Sequence, residues 1–103
     1  MLKLGQLMLD HGRWEGRQVV DSAWVAEAAS VRSTANFNMA SYGYYFWVFP
    51  SYPAFAAEGH GGQFIFVAPE QNLVIVYTAW GYTGIGLWDE FSGLADLIMS
   101  SCD

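Results

Sequence analysis

Charge is what this sequence has least of. Charged residues make up 14% of the chain, against about a quarter in an ordinary soluble domain. The only cations are Lys3, Arg13, Arg17 and Arg32, set against ten acids for a net charge of -6. That balance repels a phosphate backbone, so no nucleic-acid partner is expected. Cysteine is nearly absent: Cys102 is the single one, and no internal disulfide can form. With two histidines, His11 and His60, and no His/Cys/carboxylate grouping at ligand spacing, neither a metal site nor a cofactor is expected. Long apolar runs are missing too. Nothing approaches the roughly 20 residues of a membrane span, and the first residues lack a signal-peptide layout. A soluble compartment, cytoplasmic or periplasmic, is the expectation. Finally, neither Ser-x-x-Lys nor Gly-x-Ser-x-Gly occurs, so the chain holds no legible nucleophilic serine with its base.

What is present is apolar. Hydrophobic residues reach 53% and aromatics 17%, five of them Trp, in only 103 residues. That length bounds 1–103 to a single domain with a modest core, so much apolar surface must stay exposed unless something covers it. The excess marks either a piece of a larger fold or a self-associating chain.

The stretch from Ala54 to Thr78 organises the rest and reads as three short strands joined by two tight turns. The first turn, Gly59-His60-Gly61-Gly62, surrounds one histidine with glycines that permit positive φ and close approach. The second, Pro69-Glu70-Gln71-Asn72, has a proline to preset its φ. Gln63–Ala68 and Leu73–Thr78 are rich in β-branched and aromatic residues and apolar on both faces. The hairpin they form is expected to lie centrally in a sheet covered on each side.

Leu2, Leu4, Leu7, Met8 and Leu9 predict an amphipathic helix that Gly12 ends in the left-handed conformation. Residues 13–20 read as a turn around Gly16 with a short extended piece. Asp21 or Ser22 caps a second helix, Ala23–Ser30, with Trp24, Val25, Ala28 and Ala29 on its apolar side. Residues 31–41 are small and polar and read as a surface loop. An aromatic strand follows over 42–49, ended by Pro50 and Pro53. It serves as core or as a pocket wall. The meander continues over 54–59, 63–68 and 73–79, with a flexible link at 81–86. Leu87, Trp88, Phe91, Leu94, Ala95, Ile98 and Met99 then keep helical spacing over 87–100, with Asp89 and Glu90 in the first turn. The fold class expected is α+β, an antiparallel meander flanked by helices.

His60 has two readings. In one, it tolerates a glycine-rich hairpin turn and faces water. In the other, Gly59, His60, Gly61, Gly62 and Gln63 expose strand-end amides as oxyanion donors or as a docking edge for a substrate amide.

The run Lys3–Val25, then Tyr42-Gly-Tyr-Tyr-Phe-Trp47, Gly59-His-Gly-Gly-Gln63 and Val67-Ala-Pro69, resembles the C-terminal part of class C β-lactamase-like serine hydrolases, most of all their 6-aminohexanoate-dimer hydrolase and esterase branch. The resemblance implies a partial β-lactamase/transpeptidase-like fold, whose enzymes combine a Ser-x-x-Lys serine, a tyrosine, and a third motif on a neighbouring strand. It also implies acyl transfer to water on a small-molecule amide, lactam or ester. Only the third motif has a counterpart here. The chain is expected to be a portion lacking the nucleophile-bearing region, inactive alone, and complemented by an N-terminal half. The alternative is a binding module that self-associates or pairs with a partner chain. The third motif fits in two registers. With His60-Gly61-Gly62 in that role the Gln63 amide would face the oxyanion, and with Ala57-Glu58-Gly59 there, the His60 amide would.

Overall fold

The computed structural model describes residues 1–37, 40–49, 51–80 and 87–102. Helix α1, Leu2–Leu9, is capped at Asp10, and the left-handed turn expected at Gly12 begins one residue earlier, at His11. His11 and Gly12 both take positive φ (56° and 86°), and the Gly12 amide reaches back to the Leu7 carbonyl at 2.8 Å. A side chain at Gly12 would run into the Val20 carbonyl. Strands β1 (Arg13–Trp14) and β2 (Arg17–Gln18) then form a tight antiparallel hairpin. Its central residues Glu15 and Gly16 both have positive φ (49° and 78°), which suits the twist of a two-residue loop.

Helix α2, Ser22–Ala28, is capped by Asp21, whose Oδ1 accepts from the Ala23 amide at 2.9 Å. Val25 and Ala28 are buried as expected, but Trp24 stays 52% exposed and stacks on Tyr44, ring centroids 5.3 Å apart.

Six antiparallel strands follow in chain order: β3 (Ser33–Phe37), β4 (Ala40–Tyr42), β5 (Trp47–Val48), β6 (Phe55–Gly59), β7 (Gln63–Ala68) and β8 (Leu73–Tyr77). Two expectations are corrected at its start. Much of the expected loop over 31–41 is the β3–β4 pair, with Ser33 opposite Tyr42 and Phe37 opposite Ala40. Small polar side chains weaken the strand signal, yet the backbone ladder needs no apolar side chain to form. The stretch 42–49 is not one strand. It folds back at Gly43–Phe46, where the Gly43 amide donates to the Phe46 carbonyl at 2.8 Å and Tyr45 takes φ 67°. The cause lies in α2. The Tyr44 amide donates to the Ala28 carbonyl at 3.0 Å, and Gly43 packs so close to that carbonyl that any side chain there would collide with it. The termination expected at Pro50 and the link expected at 81–86 lie outside the described residues.

A third correction concerns the hairpin of β7 and β8. Its register is regular, from Phe64 opposite Tyr77 to Ala68 opposite Leu73, but among the described residues β8 is the last strand of the sheet and not a central one. β7 is covered on both faces, its residues from Phe64 to Ala68 all being buried. On one face α1 packs Leu9 beside Phe55 and Val67. Its Gly5 lies against Ile65 and Val74 so closely that a methyl would overlap both. On the other, α3 (Leu87–Ser100) packs Phe91 and Ala95 onto Ala56, Phe64, Phe66 and Ala68. Phe91 stacks flat on Phe64 with centroids 4.2 Å apart. Each fully buried ring contributes roughly 2–3 kcal/mol of transfer free energy. The two helices thereby hold β7, and the turn at its start, in a fixed place.

Candidate functional site

The glycine-rich turn stands where β6 becomes β7. Gly59 pairs with Gln63, leaving His60, Gly61 and Gly62 as the loop. Gly61 and Gly62 have φ of 86° and 91°, a conformation that side chains rarely adopt. Gly62 is buried, while His60 is exposed at the turn's tip. Gly59 plays a different part. A side chain there would press on the Cβ of Gln63 at 3.3 Å, so its glycine gives room across the strand pair.

Gln63 does more than open β7. Its Nε2 donates to the carbonyl of Ala79 at 2.5 Å, across from the end of β8. This bond ties the segment leaving β8 to the glycine turn, and that segment carries Trp80 at 86% exposure. The structure thus brings the sequence-selected residues 59–63 together with the chain at 79–80, as the expected hairpin of 63–68 with 73–79 implies, the side-chain bond itself being the new element.

Glu58 is the other residue to note. It stands opposite Phe64 on β6, one residue before Gly59. By strand alternation it shares the face of Ala56, toward α3. Partial burial pushes its carboxyl above the ordinary range, because the charged form loses water there. A lone acid at the end of an apolar strand is the only sequence sign of it. At the far end of α3 the Tyr52 hydroxyl donates to Asp96 Oδ1 at 2.9 Å. Burial, then the Asp96 hydrogen bond and charge, raise its pKa.

The opposite end of β7 is built otherwise. There Pro69–Gln71 make a single 3-10 turn and Asn72 takes the left-handed conformation (φ 51°). Beside it an open pocket of about 490 Å³ is lined by residues that include Asp10, His11, Arg13, Glu15 and Asn72. The two histidines thus sit at opposite ends of the sheet. Among the described residues no group of three His, Cys, Asp or Glu side chains is placed to hold a metal ion, and no helix is long and apolar enough to cross a membrane.

Chemically, the turn at 59–63 offers backbone amides on rigid support and no nucleophile. The residue types needed to generate an oxyanion are not gathered around it among the described residues. What it can do is present amides to a group brought by another part of a protein.

No family model matches the chain, and no curated protein does. Among solved structures it is similar to one described as "Putative 6-aminohexanoate-dimer hydrolase from Bacillus anthracis", with a TM-score of 0.76 and 24% identity over 93% of this chain and 26% of that one. The chain spans about a quarter of that protein's length. At this identity the likeness is one of fold. The chain is an α+β structure, an antiparallel sheet flanked by helices, that corresponds to part of a β-lactamase-like fold.

Proposed function

We propose that this chain is the sheet portion of a β-lactamase-like serine hydrolase, in which the turn at 59–63 supplies an oxyanion amide to a serine carried elsewhere. The parent reaction is acyl transfer to water through an acyl-serine, on an amide, lactam or ester. A single observation carries the reading: a buried, helix-clamped strand opens on a turn whose two left-handed glycines fix the backbone beside Gln63. The fold likeness to part of a much longer chain supports it. An oxyanion hole needs two donors, and the serine's own amide is the second in this chemistry. The 103 residues hold no Ser-x-x-Lys, so the chain alone has nothing to generate the oxyanion. It is expected to hydrolyse neither a chromogenic lactam nor a p-nitrophenyl ester above the rate of a His60→Ala control.

The experiment is complementation. A separately expressed N-terminal half of a related hydrolase, carrying Ser-x-x-Lys and the tyrosine, is mixed with this chain and ester turnover is followed. Burial of shared apolar surface at about 25 cal/mol per Å² drives assembly against the entropy of association. Turnover in the mixture but in neither half alone supports the reading. Failure of every half to bind a folded chain contradicts it.

A second reading, a binding module without catalysis, draws on the exposed apolar side chains. Leu2, Trp24 and Leu97 are 59%, 52% and 68% exposed, apolar side chains that a partner surface could cover. Stoichiometric binding of a partner with no turnover in any complemented mixture would favour it.

A further inference from the structure

Two glycines in succession give the turn at 59–63 its shape and deprive it of rigidity. Gly61 and Gly62, at φ 86° and 91°, have more conformational freedom than any other residue type, whereas an oxyanion donor works best when it is held in place before the charge develops. The turn therefore needs ties from outside its own backbone. Toward β6 the ladder reaches as far as Gly59 opposite Gln63. Toward β8 it stops at Phe64 opposite Tyr77, and the same register carried outward would set Gly62 against Ala79. At φ 91° Gly62 has left the extended conformation that carries a ladder on. The Ala79 carbonyl is reached by the part-buried side chain of Gln63, whose Nε2 donates to it at 2.5 Å. A second observation points to the same side chain. Gly59 is paired in β6 and is not among the glycines with positive φ, so its backbone conformation does not call for glycine. What a Cβ there would meet is the stem of Gln63, with its Cβ at 3.3 Å and its Cγ at 3.7 Å.

We infer that Gln63 is a positioning residue of the oxyanion turn: its side-chain amide fixes the turn against the chain leaving β8, and Gly59 leaves room for its stem. The inference rests on the hydrolase reading and adds to it the role of a side chain. That side chain acts through the backbone in both registers. Gln63 is itself one candidate donor, and it closes the three-residue loop whose first member, His60, is the other. The orientation of the amide is forced by chemistry. A carbonyl only accepts, so the nitrogen of the Gln63 side chain, and not its oxygen, faces Ala79. A side chain of the same length that cannot donate would turn this tie into a repulsion between two acceptors.

The test is made in the complemented enzyme, with kcat taken per active site counted by fluorophosphonate titration, so that chains which fail to fold or assemble drop out. Gln63→Glu keeps the side-chain length and, at neutral pH, sets a carboxylate against the Ala79 carbonyl. Its kcat is expected to fall about tenfold with KM within about twofold of the parent, a smaller loss than removal of the donor itself would cause. As pH falls toward the carboxylate range the introduced group takes up a proton and can donate again, and the ratio of variant to parent kcat is expected to rise. Gly59→Ala, which keeps the amide but crowds its stem, is expected to lose roughly two- to threefold in kcat. If the first variant does not assemble, Gly59→Ala decides, and a kcat equal to the parent's overturns the inference. A parent mixture that turns over ester, with Gln63→Glu equal to it per site, overturns the inference and leaves the hydrolase reading standing. So does a loss in Gln63→Glu that is the same at every pH, because general loosening of the turn does not follow one proton. A parent mixture without turnover defeats the hydrolase reading and this inference with it.

Discussion

The two turns that bound β7 solve one geometric problem with different residues. At its start, the chain reverses through Gly61 and Gly62 at φ near 90°, with Gly62 buried. At its end, it reverses through a proline-led 3-10 turn and sets Asn72 at φ 51°, exposed. Asparagine tolerates the left-handed region because its short polar side chain can bond locally, whereas a φ near 90° lies beyond that basin and is open to glycine. The first turn therefore runs through two successive residues that carry no Cβ. The second is an ordinary connection that happens to border an open pocket. A glycine-rich turn is informative about chemistry when the same reversal elsewhere in the chain is achieved without it.

The comparison is broken most severely by filling the first turn. Gly62→Val is expected to cost about 2–3 kcal/mol, from a β-branched residue forced to positive φ at a buried site. Urea unfolding followed by Trp fluorescence measures it, and a loss below about half a kcal/mol would mean that the turn can rearrange. Next comes Asn72, where alanine is expected to lose roughly 1 kcal/mol and glycine to be neutral or slightly stabilising, since only the left-handed penalty is at stake. Equal losses for both would show that the Asn72 side chain, not its φ, matters.

Glu58 sharpens the contrast through pH. Its carboxyl is raised above the ordinary glutamate range by burial, so the native state keeps a proton that the unfolded chain has released. Stability from this group is therefore intact below the ordinary glutamate range and is lost as pH rises from there through the raised native pKa. Glu58→Gln is expected to flatten the decline, giving a variant no less stable than the parent at pH 7. The difference between their urea midpoints at a series of pH values isolates it. A midpoint difference independent of pH would remove burial as the cause. The smallest effect is expected from His60→Ala, within about half a kcal/mol, because its side chain projects into water.

Much of this was legible in the sequence. The segments at 63–68 and 87–100 stand where apolar pattern and flanking turns put them, because both are long and their residues agree on one environment. The cap at Asp21 was legible as one of two candidates. What could not be read depends on contacts made by the backbone, which side-chain pattern does not report. The Gly43–Phe46 reversal is imposed by the Ala28 carbonyl, and an unbroken aromatic run gives no sign of it. The β3–β4 pair forms from residues with loop composition because a neighbouring strand is available. For the site, the glycines announced themselves, while the bond from Gln63 to Ala79 spans the width of a hairpin and has no local signal.

The most direct test of the oxyanion role compares two proline substitutions in the complemented enzyme. One register needs the His60 amide and the other the Gln63 amide, and proline has neither hydrogen to donate. Ester turnover is expected to fall by about 10²–10³-fold for one of His60→Pro and Gln63→Pro, with His60→Ala close to the parent and binding of the two halves retained. Full activity in both proline variants, or a loss in His60→Ala as deep as in His60→Pro, would contradict the account, the second by moving the role from the backbone to the imidazole.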